Sequence, residues 1–273
     1  LLIVLVQVPA IQNKIVQKAV TGLREKLGTN VSLKRISIAF PKKIVLEDLL
    51  FSEENKSALL QTIKEHKYIE ELKKYNLKVD NKILLHGHSG CGKTTTAKAI
   101  ATALNKNIVI INLSTLINAK IGETSKNVKA IFDKAIREKA VLFLDEFDQI
   151  GKSRESDDKD VAEMRRLVNT IIQLIDYLPT DSLLICATNF YNSIDTALLR
   201  RFQIKLKFEM PNEKELDIYY DKLLADFPVR LQDIPRKYDI SYAEVKDYIQ
   251  TIMKRQIIAE LELKEQKLSE TIA

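Results

Sequence analysis

The sequence predicts a three-layer α/β/α fold, in which helices cover both faces of a parallel sheet, followed by a small C-terminal helical domain. Short apolar segments of strand length alternate regularly with segments of helical period. A glycine-rich turn joins one of these strands to the helix after it. After Pro211 the pattern becomes mostly helical. Buried strands that alternate with helices form parallel sheets covered on both faces.

The N-terminal segment has a different character. Its apolar run at 1–8 is far shorter than the roughly 20 apolar residues of a membrane-spanning helix, although it also fits the end of a truncated one. An amphipathic stretch at 11–26 and a strand-like alternation at 31–40 follow. We therefore predict three parts: an N-terminal segment at 1–51, the layered domain at 52–211 and the helical domain at 212–273.

The elements of the layered domain follow in regular order. A charged stretch at 52–75 carries Leu59, Leu60 and Ile63 at helical intervals, which predicts a helix. The strands that follow are predicted at 82–86, 108–112, 141–144 and 183–187. The helices between them are predicted at 93–104, 128–136 and 161–177. Helices of the C-terminal bundle are expected within 212–266.

A phosphate-binding loop follows the first of these four strands. The pattern G-x-x-x-x-G-K-[ST], in its required place between a strand and a helix, is matched by Gly87, His88, Ser89, Gly90, Cys91, Gly92, Lys93 and Thr94. Glycines let the backbone aim its N–H groups at phosphate oxygens, and the helix adds its positive end. We expect the loop, through Thr95, to bind ATP, with Lys93 on the β and γ phosphates and Thr94 on Mg²⁺.

Two acids end the third of these strands. Asp145 and Glu146 follow apolar residues 141–144, at the sheet edge where the phosphate loop also emerges. We expect Asp145 to hold the Mg²⁺ shell and Glu146 to polarise the attacking water. Asp148 has two interpretations, a solvated acid or a helix cap. If the last strand inserts between those of the phosphate loop and Asp145, Asn189 can hydrogen-bond the attacking water or the γ-phosphate.

These residues in this order closely resemble the AAA+ superfamily of P-loop ATPases, in particular its classical AAA branch, over 52–265. The resemblance implies a homo-oligomer, typically a hexameric ring, and a sensor role for Asn189. It also implies that Arg200 and Arg201 project into the nucleotide of the neighbouring subunit, where charge builds on the γ-phosphoryl oxygens. Ala243 matches the branch, which lacks a second-sensor arginine at this place.

Lys120 departs from the family pattern. It stands, before Ile121 and Gly122, where the first pore loop of the family carries an aromatic residue. An aromatic ring grips a threaded polypeptide through apolar contact, which an ammonium cannot do equally well. The departure puts threading of a protein in doubt, and Lys120 favours acidic substrates or structural support instead.

The N-terminal segment has a resemblance of its own. The stretches at 11–20, 27–33 and 38–48 resemble the start of AsmA-like (TamB-type) envelope proteins of the Bacteroidota, which lies on the periplasmic side after a membrane helix. A simple N-terminal subdomain is the alternative. Because the periplasm lacks ATP, we favour a fused or misassembled reading frame near 48–53 and a cytoplasmic protein, with membrane association through a truncated helix as the alternative.

Composition narrows the class of protein and its partners. A hydrophobic share of 45% is typical of a globular chain and argues against disorder. The net charge of +6 is scattered over mixed-sign stretches, so a nucleic-acid partner is permitted but not indicated. Cys91 and Cys186 lack metal-ligand spacing and are interpreted as reduced thiols. His86 and His88 lack a third ligand nearby, so we interpret them as loop residues.

Three functions fit these residues. The first is ATP-driven remodelling of a macromolecule, most simply a protein. The second is a motor or loader on nucleic acid, for which no helix-turn-helix, zinc or aromatic-interleaved basic motif appears. The third is a nucleotide-dependent scaffold, against which Glu146 and Asn189 argue, because a pure binder needs neither. A GTPase is excluded because no N-K-x-D motif follows.

Overall fold

The computed structural model describes the backbone of residues 36–39, 46, 49–117, 121–152 and 159–272. Side chains are described within 46, 49–115, 125–150, 166–263 and 265–266. The chain divides into two compact units. The first unit comprises the described part of Leu1–His86 together with Thr94–Leu206, and the second comprises Gly87–Lys93 and Lys207–Ala273.

Within the described ranges, the sheet has six strands in the order β1-β3-β4-β5-β2-β6. The strands are β1 (Ile36–Ala39), β2 (Lys82–Gly87), β3 (Ile108–Asn112), β4 (Val141–Asp145), β5 (Leu183–Thr188) and β6 (Ile204–Phe208). The four central strands are parallel, whereas β1 pairs antiparallel with β3. The predicted parallel α/β sheet is therefore confirmed. β5 lies between β4 and β2, which is the insertion on which the interpretation of Asn189 depended.

Helices separate the strands as predicted. The helices of the first unit are α1 (Glu53–Lys67), α2 (Ile69–Lys74), α3 (Lys93–Ala103), α4 (Leu113–Ile117), α5 (Ile121–Arg137), α6 (Gln149–Lys152), α7 (Lys159–Asp176) and α8 (Thr196–Leu199). Lys93, the first residue of α3, belongs to the second unit. Those of the second unit are α9 (Glu213–Leu224) and α10 (Tyr242–Ile272).

The core of the first unit explains why its strands read as continuous apolar runs. β4 and β5 are covered on both faces, so Leu142, Phe143, Leu184 and Ile185 are all buried. On one face, the strand residues Leu142 and Leu184 join a cluster that includes Phe132 of α5. Cys186 lies in the same cluster, and complete burial raises the pKa of its thiol well above the ordinary value. This cysteine is an inert core residue.

The second unit packs α9 against α10. Leu216 and Tyr220 of α9 meet Val245 and Ile249 of α10 in a separate apolar cluster. Asn212 begins α9 with a capping box, since its side chain accepts from the backbone N–H of Glu215 while the Glu215 carboxylate accepts from the N–H of Asn212. This cap explains why the helical pattern starts directly after Pro211.

The predicted N-terminal segment lies mostly outside the described residues. β1 belongs to that segment, yet it pairs with β3 in a register that places Ile36 opposite Ile111. A strand of the sheet therefore lies on the N-terminal side of the boundary predicted at 51/52. The division into three parts stays a prediction. Lys120 also lies outside the described residues. Among the helices that the structure describes, none is long and apolar enough to cross a membrane.

Candidate active site

The phosphate loop belongs to the second unit, where its backbone approaches neighbouring segments closely. Gly87 has a φ of +128°, and a Cβ at this position would overlap the carbonyl of Phe208, which accepts a hydrogen bond from the N–H of His88. Gly90 has a φ of +75°, and a Cβ there would overlap the side chain of Ser241. Glycine is the residue that fits both positions without strain.

Lys93 is held by the loop that precedes it. Its side chain is buried, with 8% exposure of the residue, and its ammonium donates to the carbonyl oxygens of Gly87 at 2.8 Å and His88 at 2.7 Å. A Cβ added to Gly92 would meet no atom within 4 Å, so space is open beside this part of the loop. The loop thus carries an ammonium held by two of its own carbonyl oxygens, and a cation within a glycine-rich loop is suited to an anion.

Cys91 is packed within the loop. It is 4% exposed, and its Sγ lies 3.6 Å from the carbonyl oxygen of Ser89 and 3.8 Å from the sulfur of Met210. Burial is the largest influence on this thiol and raises its pKa. Cys91 is therefore a protonated packing residue at neutral pH.

The acids lie in the first unit, with Thr94. Asp145 ends β4, and its Oδ2 accepts from the Thr94 hydroxyl at 3.3 Å while its Oδ1 accepts from the backbone N–H of Glu146 at 3.0 Å. A hydroxyl and a carboxylate oxygen are hard ligands of the kind that Mg²⁺ takes alongside water and phosphate oxygens. The pair predicted to bind Mg²⁺ is thus brought together, and its chemistry fits that ion.

Glu146 adopts an uncommon backbone conformation. Its φ is +56°, in the left-handed region that non-glycine residues rarely occupy. The backbone N–H of Gln149 donates to the Glu146 carbonyl at 3.0 Å and closes the turn before α6. Such a conformation costs on the order of 1–3 kcal/mol and is concentrated at functional sites. Glu146, which is half-buried, thus lies in a strained turn directly after the strand.

Asn189 follows β5 directly and is exposed. Because β5 lies beside β4, the residues after the two strands share one edge of the sheet, and the N–H of Phe147 donates to the carbonyl of Ala187 at 2.8 Å. The structure thus brings Glu146 and Asn189 to the same edge. The contact of Asn189 with a nucleotide stays a prediction.

The two predicted arginines differ in their surroundings. Arg201 donates through Nε and Nη2 to the two carboxylate oxygens of Asp176, at 2.6 and 2.9 Å, and through Nη1 to the carbonyl of Ala197 at 2.7 Å. Its hydrogen bond to Asp176 raises the pKa of this guanidinium. Arg200 is exposed, and its backbone N–H donates to the carbonyl oxygen of Thr196 at 3.1 Å. Sequence reasoning missed Asp176, which lies 25 positions away and belongs to no motif.

Asp148 is not a solvated acid; it directly precedes α6, and its interpretation as a helix cap stays a prediction. It is 2% exposed, and its Oδ1 accepts a hydrogen bond from Thr188 Oγ1 at 2.9 Å. The sequence signals it only as a further acid after Asp145 and Glu146. Nothing in the sequence pairs it with Thr188.

His86 and His88 flank the first glycine of the loop. Across the ranges that the structure describes, no three His, Cys, Asp or Glu side chains converge in a way that would hold a metal ion. The His86 ring instead stacks against Tyr191 with ring centroids 4.2 Å apart. The interpretation of His86 and His88 as loop residues stays a prediction.

Part of the chain matches a known protein family, and several known proteins are similar to it. The family described as ATPase family associated with various cellular activities (AAA) matches residues 83–210. An uncharacterized AAA family ATPase, y4kL of Sinorhizobium fredii, is 32% identical over 214 residues, which are 77% of this chain and 64% of that protein. A proteasome-associated ATPase of Acidothermus cellulolyticus is 30% identical over 255 residues, 81% of this chain and 43% of that protein. The chain thus spans less than two thirds of the length of these relatives.

Solved structures with the same architecture include two crystal structures of the FIGL-1 AAA domain, one of them in complex with ADP. They superpose with TM-scores of 0.68 and 0.67 at 23% and 22% identity. They cover 87% and 88% of this chain, and 82% and 83% of the FIGL-1 chains. At such low identity the likeness establishes the fold.

Proposed function

We propose that this chain, which contains a AAA family ATPase domain, hydrolyses ATP within an oligomer and couples hydrolysis to the remodelling of a protein. The observation that carries the proposal is the 3.3 Å hydrogen bond between the Thr94 hydroxyl and the Asp145 carboxylate. This contact joins the residue that ends the phosphate-loop motif to the acid that ends β4. Both are oxygen ligands, and both are placed by regular secondary structure.

Binding of ATP follows from the loop. The backbone N–H groups of 87–93 and the Lys93 ammonium receive the phosphates, and Thr94 and Asp145 hold the magnesium ion. When bound, Mg²⁺ neutralises charge on the β and γ phosphates. The hydrogen bonds from Lys93 to the carbonyls of Gly87 and His88 keep its ammonium in place before the nucleotide arrives.

Hydrolysis is the attack of water on the γ-phosphorus, with rupture of the bond to the bridging oxygen of ADP. Glu146 polarises the water and receives its proton, and its turn holds the carboxylate at the sheet edge. Asn189 donates its amide to the water or to the γ-phosphate. Arg200 of a neighbouring copy stabilises the charge on the γ-phosphoryl oxygens, a role that its exposure permits.

A protein substrate is the simplest choice. The Acidothermus relative is named a proteasome-associated ATPase, and a proteasome acts on proteins. The scattered positive charge of this chain supplies no concentrated basic patch in its sequence for nucleic acid. A hexameric ring, a cytoplasmic location and the AsmA-like origin of 1–50 are parts of this proposal that come from the sequence alone.

Phosphate release by the purified chain with Mg²⁺ and ATP tests hydrolysis. We expect specific activity that rises with protein concentration as subunits assemble, and none for Lys93→Ala. Absence of hydrolysis at high protein concentration would contradict the proposal. Glu146→Gln, which keeps the binding loop, then serves as a substrate trap: beads carrying it should retain client proteins with ATP but not with ADP. Equal retention in both states would argue against ATP-driven remodelling.

A further inference from the structure

A buried acid lies two residues beyond the proposed base. Asp148 is 2% exposed, and its carboxylate accepts from the Thr188 hydroxyl at 2.9 Å and from the Gln149 amide nitrogen at 3.3 Å. Burial of a carboxylate is costly unless hydrogen bonds compensate it, so this residue is more than a filler of space. The hydrolysis steps above make no use of it.

Thr188 extends the contact to the segment that carries Asn189. Its side chain is buried, and its Oγ1 accepts from the backbone N–H of Phe190 at 2.9 Å. A threonine hydroxyl has one hydrogen, which it donates to the acceptor Asp148, so its lone pair is available to Phe190. Asn189 therefore lies between two residues, Thr188 and Phe190, that are joined by a hydrogen bond to the Thr188 hydroxyl.

Asp148 also lies only two positions after Glu146 in the sequence. Both lie in the turn between β4 and α6, and Phe147 between them fixes that turn to β5 through its backbone contact with Ala187 at 2.8 Å. The Phe147 ring is fully buried and packs edge-on against Phe202, with centroids 5.4 Å apart. The backbone contact sets the distance between the two segments, whereas the Asp148 to Thr188 hydrogen bond sets the orientation of the residues just beyond it.

We propose that Asp148 and Thr188 are positioning residues, which hold Glu146 and Asn189 in register so that both can engage one water molecule. This inference rests on the proposed ATPase function. It predicts that loss of the bridge lowers kcat and leaves ATP affinity nearly unchanged, because neither residue belongs to the phosphate loop. Displacement of a catalytic group by about 1 Å can cost on the order of 100-fold in rate.

Thr188→Val tests the proposal, because it removes the hydroxyl and keeps the volume. We expect kcat to fall by about 10- to 100-fold, with the dissociation constant for ATP changed by less than about threefold. Thr188→Ser, which restores the hydroxyl, should return kcat to within about threefold of the original value. Thr251→Val is the control for loss of a threonine hydroxyl, since Thr251 donates at 2.8 Å to the backbone carbonyl oxygen of Asp247 within α10, and its kcat should be unaltered.

A second variant guards against misfolding. Asp148→Asn keeps an oxygen that accepts from Thr188, so we expect a smaller loss of kcat than for Thr188→Val at equal ATP affinity. In the Glu146→Gln background, Thr188→Val should reduce the residual hydrolysis by a much smaller factor than in the unaltered chain, because one of the two groups that it holds in register, the proposed base, is already gone. An equal loss in both backgrounds indicates a structural role and overturns the proposal.

Other outcomes separate this inference from the proposed function. Wild-type kcat in both Thr188→Val and Asp148→Asn would overturn the positioning role while leaving the ATPase intact. Weaker ATP binding with unchanged kcat would overturn it as well. If the unaltered chain does not hydrolyse ATP, the proposed function itself fails.

Discussion

Arg201 and Asp176 form a two-point ion pair within one chain, with Nε to Oδ1 at 2.6 Å and Nη2 to Oδ2 at 2.9 Å. The planar guanidinium fork matches the carboxylate, so the pair fixes orientation. Because both side chains are partly exposed, the pair contributes at most about 1 kcal/mol to stability. Arg200, the next residue along the chain, is exposed and therefore accessible to a neighbouring copy.

We predict that Arg200→Ala lowers kcat by about 10³-fold, because it removes the cation that stabilises transition-state charge. Arg201→Ala should be milder and should match Asp176→Ala, since both break the same pair. Steady-state kcat for the three variants measures this. Arg230→Ala is the matched control, because Arg230 forms a similar two-point pair with Glu260 in the second unit. Arg200→Ala with wild-type kcat would contradict the assignment.

The backbone of Glu146 predicts a conflict between stability and activity. Glu146→Gly and Glu146→Ala both remove the proposed base, but only glycine adopts a φ of +56° without strain. We expect the glycine variant to have a free energy of unfolding higher by roughly 0.5–1 kcal/mol, measured with denaturant. In helix α3, where the backbone is helical, alanine is instead more stabilising than glycine, so Ala103→Gly should destabilise the protein. A less stable Glu146→Gly than Glu146→Ala would refute the interpretation of strain.

Gly90 and Gly92 form a matched pair in the phosphate loop. Both have positive φ, but a Cβ on Gly90 would overlap Ser241 whereas one on Gly92 would meet nothing within 4 Å. Gly90→Ala should therefore lower the free energy of unfolding more than Gly92→Ala, by about 1–3 kcal/mol for the added overlap. Thermal unfolding of the two variants measures the difference. Equal destabilisation would show that the Ser241 side chain moves to accommodate the added methyl group.

Cys91 should react slowly with iodoacetamide at neutral pH. Burial raises the pKa of its thiol, so the reactive thiolate is scarcer than for an ordinary cysteine, and the rate should rise with pH until the raised pKa is passed. Once modified, the loop should no longer bind ATP, because the added group lies beside Gly92 and Lys93. Fully buried Cys186 should react only on unfolding. Fast labelling of Cys91 at pH 7 would contradict this description.

Most helices and strands could be predicted from the sequence because their buried residues form periodic or continuous apolar patterns. The strand prediction at 108–112 coincides with β3, and that at 141–144 differs from β4 only by Asp145. β6 was not predicted, although Ile204, Leu206 and Phe208 alternate with lysines in a pattern of period two. Edge strands of this kind are short and half polar, so their signal is weak.

The residues of the candidate site also divide into those that the sequence predicts and those that it does not. Local motifs identified the residues from Gly87 to Thr94 and the acids Asp145 and Glu146, because each motif is contiguous. The bonds of Arg201 to Asp176 and of Thr188 to Asp148 join residues 25 and 40 positions apart. No periodic or spacing rule encodes such contacts, since they arise only when strands and helices pack.

The central claim is that one subunit binds ATP through Lys93 while the next supplies Arg200. Lys93→Ala and Arg200→Ala should each be nearly inactive alone, because one cannot hold the phosphates and the other cannot stabilise the transition state of its neighbour. Mixed in equal amounts, the two place an intact Arg200 beside an intact Lys93, and phosphate release should rise well above the sum of the separate activities. Activity that stays at that sum, in mixtures shown to co-assemble, would contradict the account.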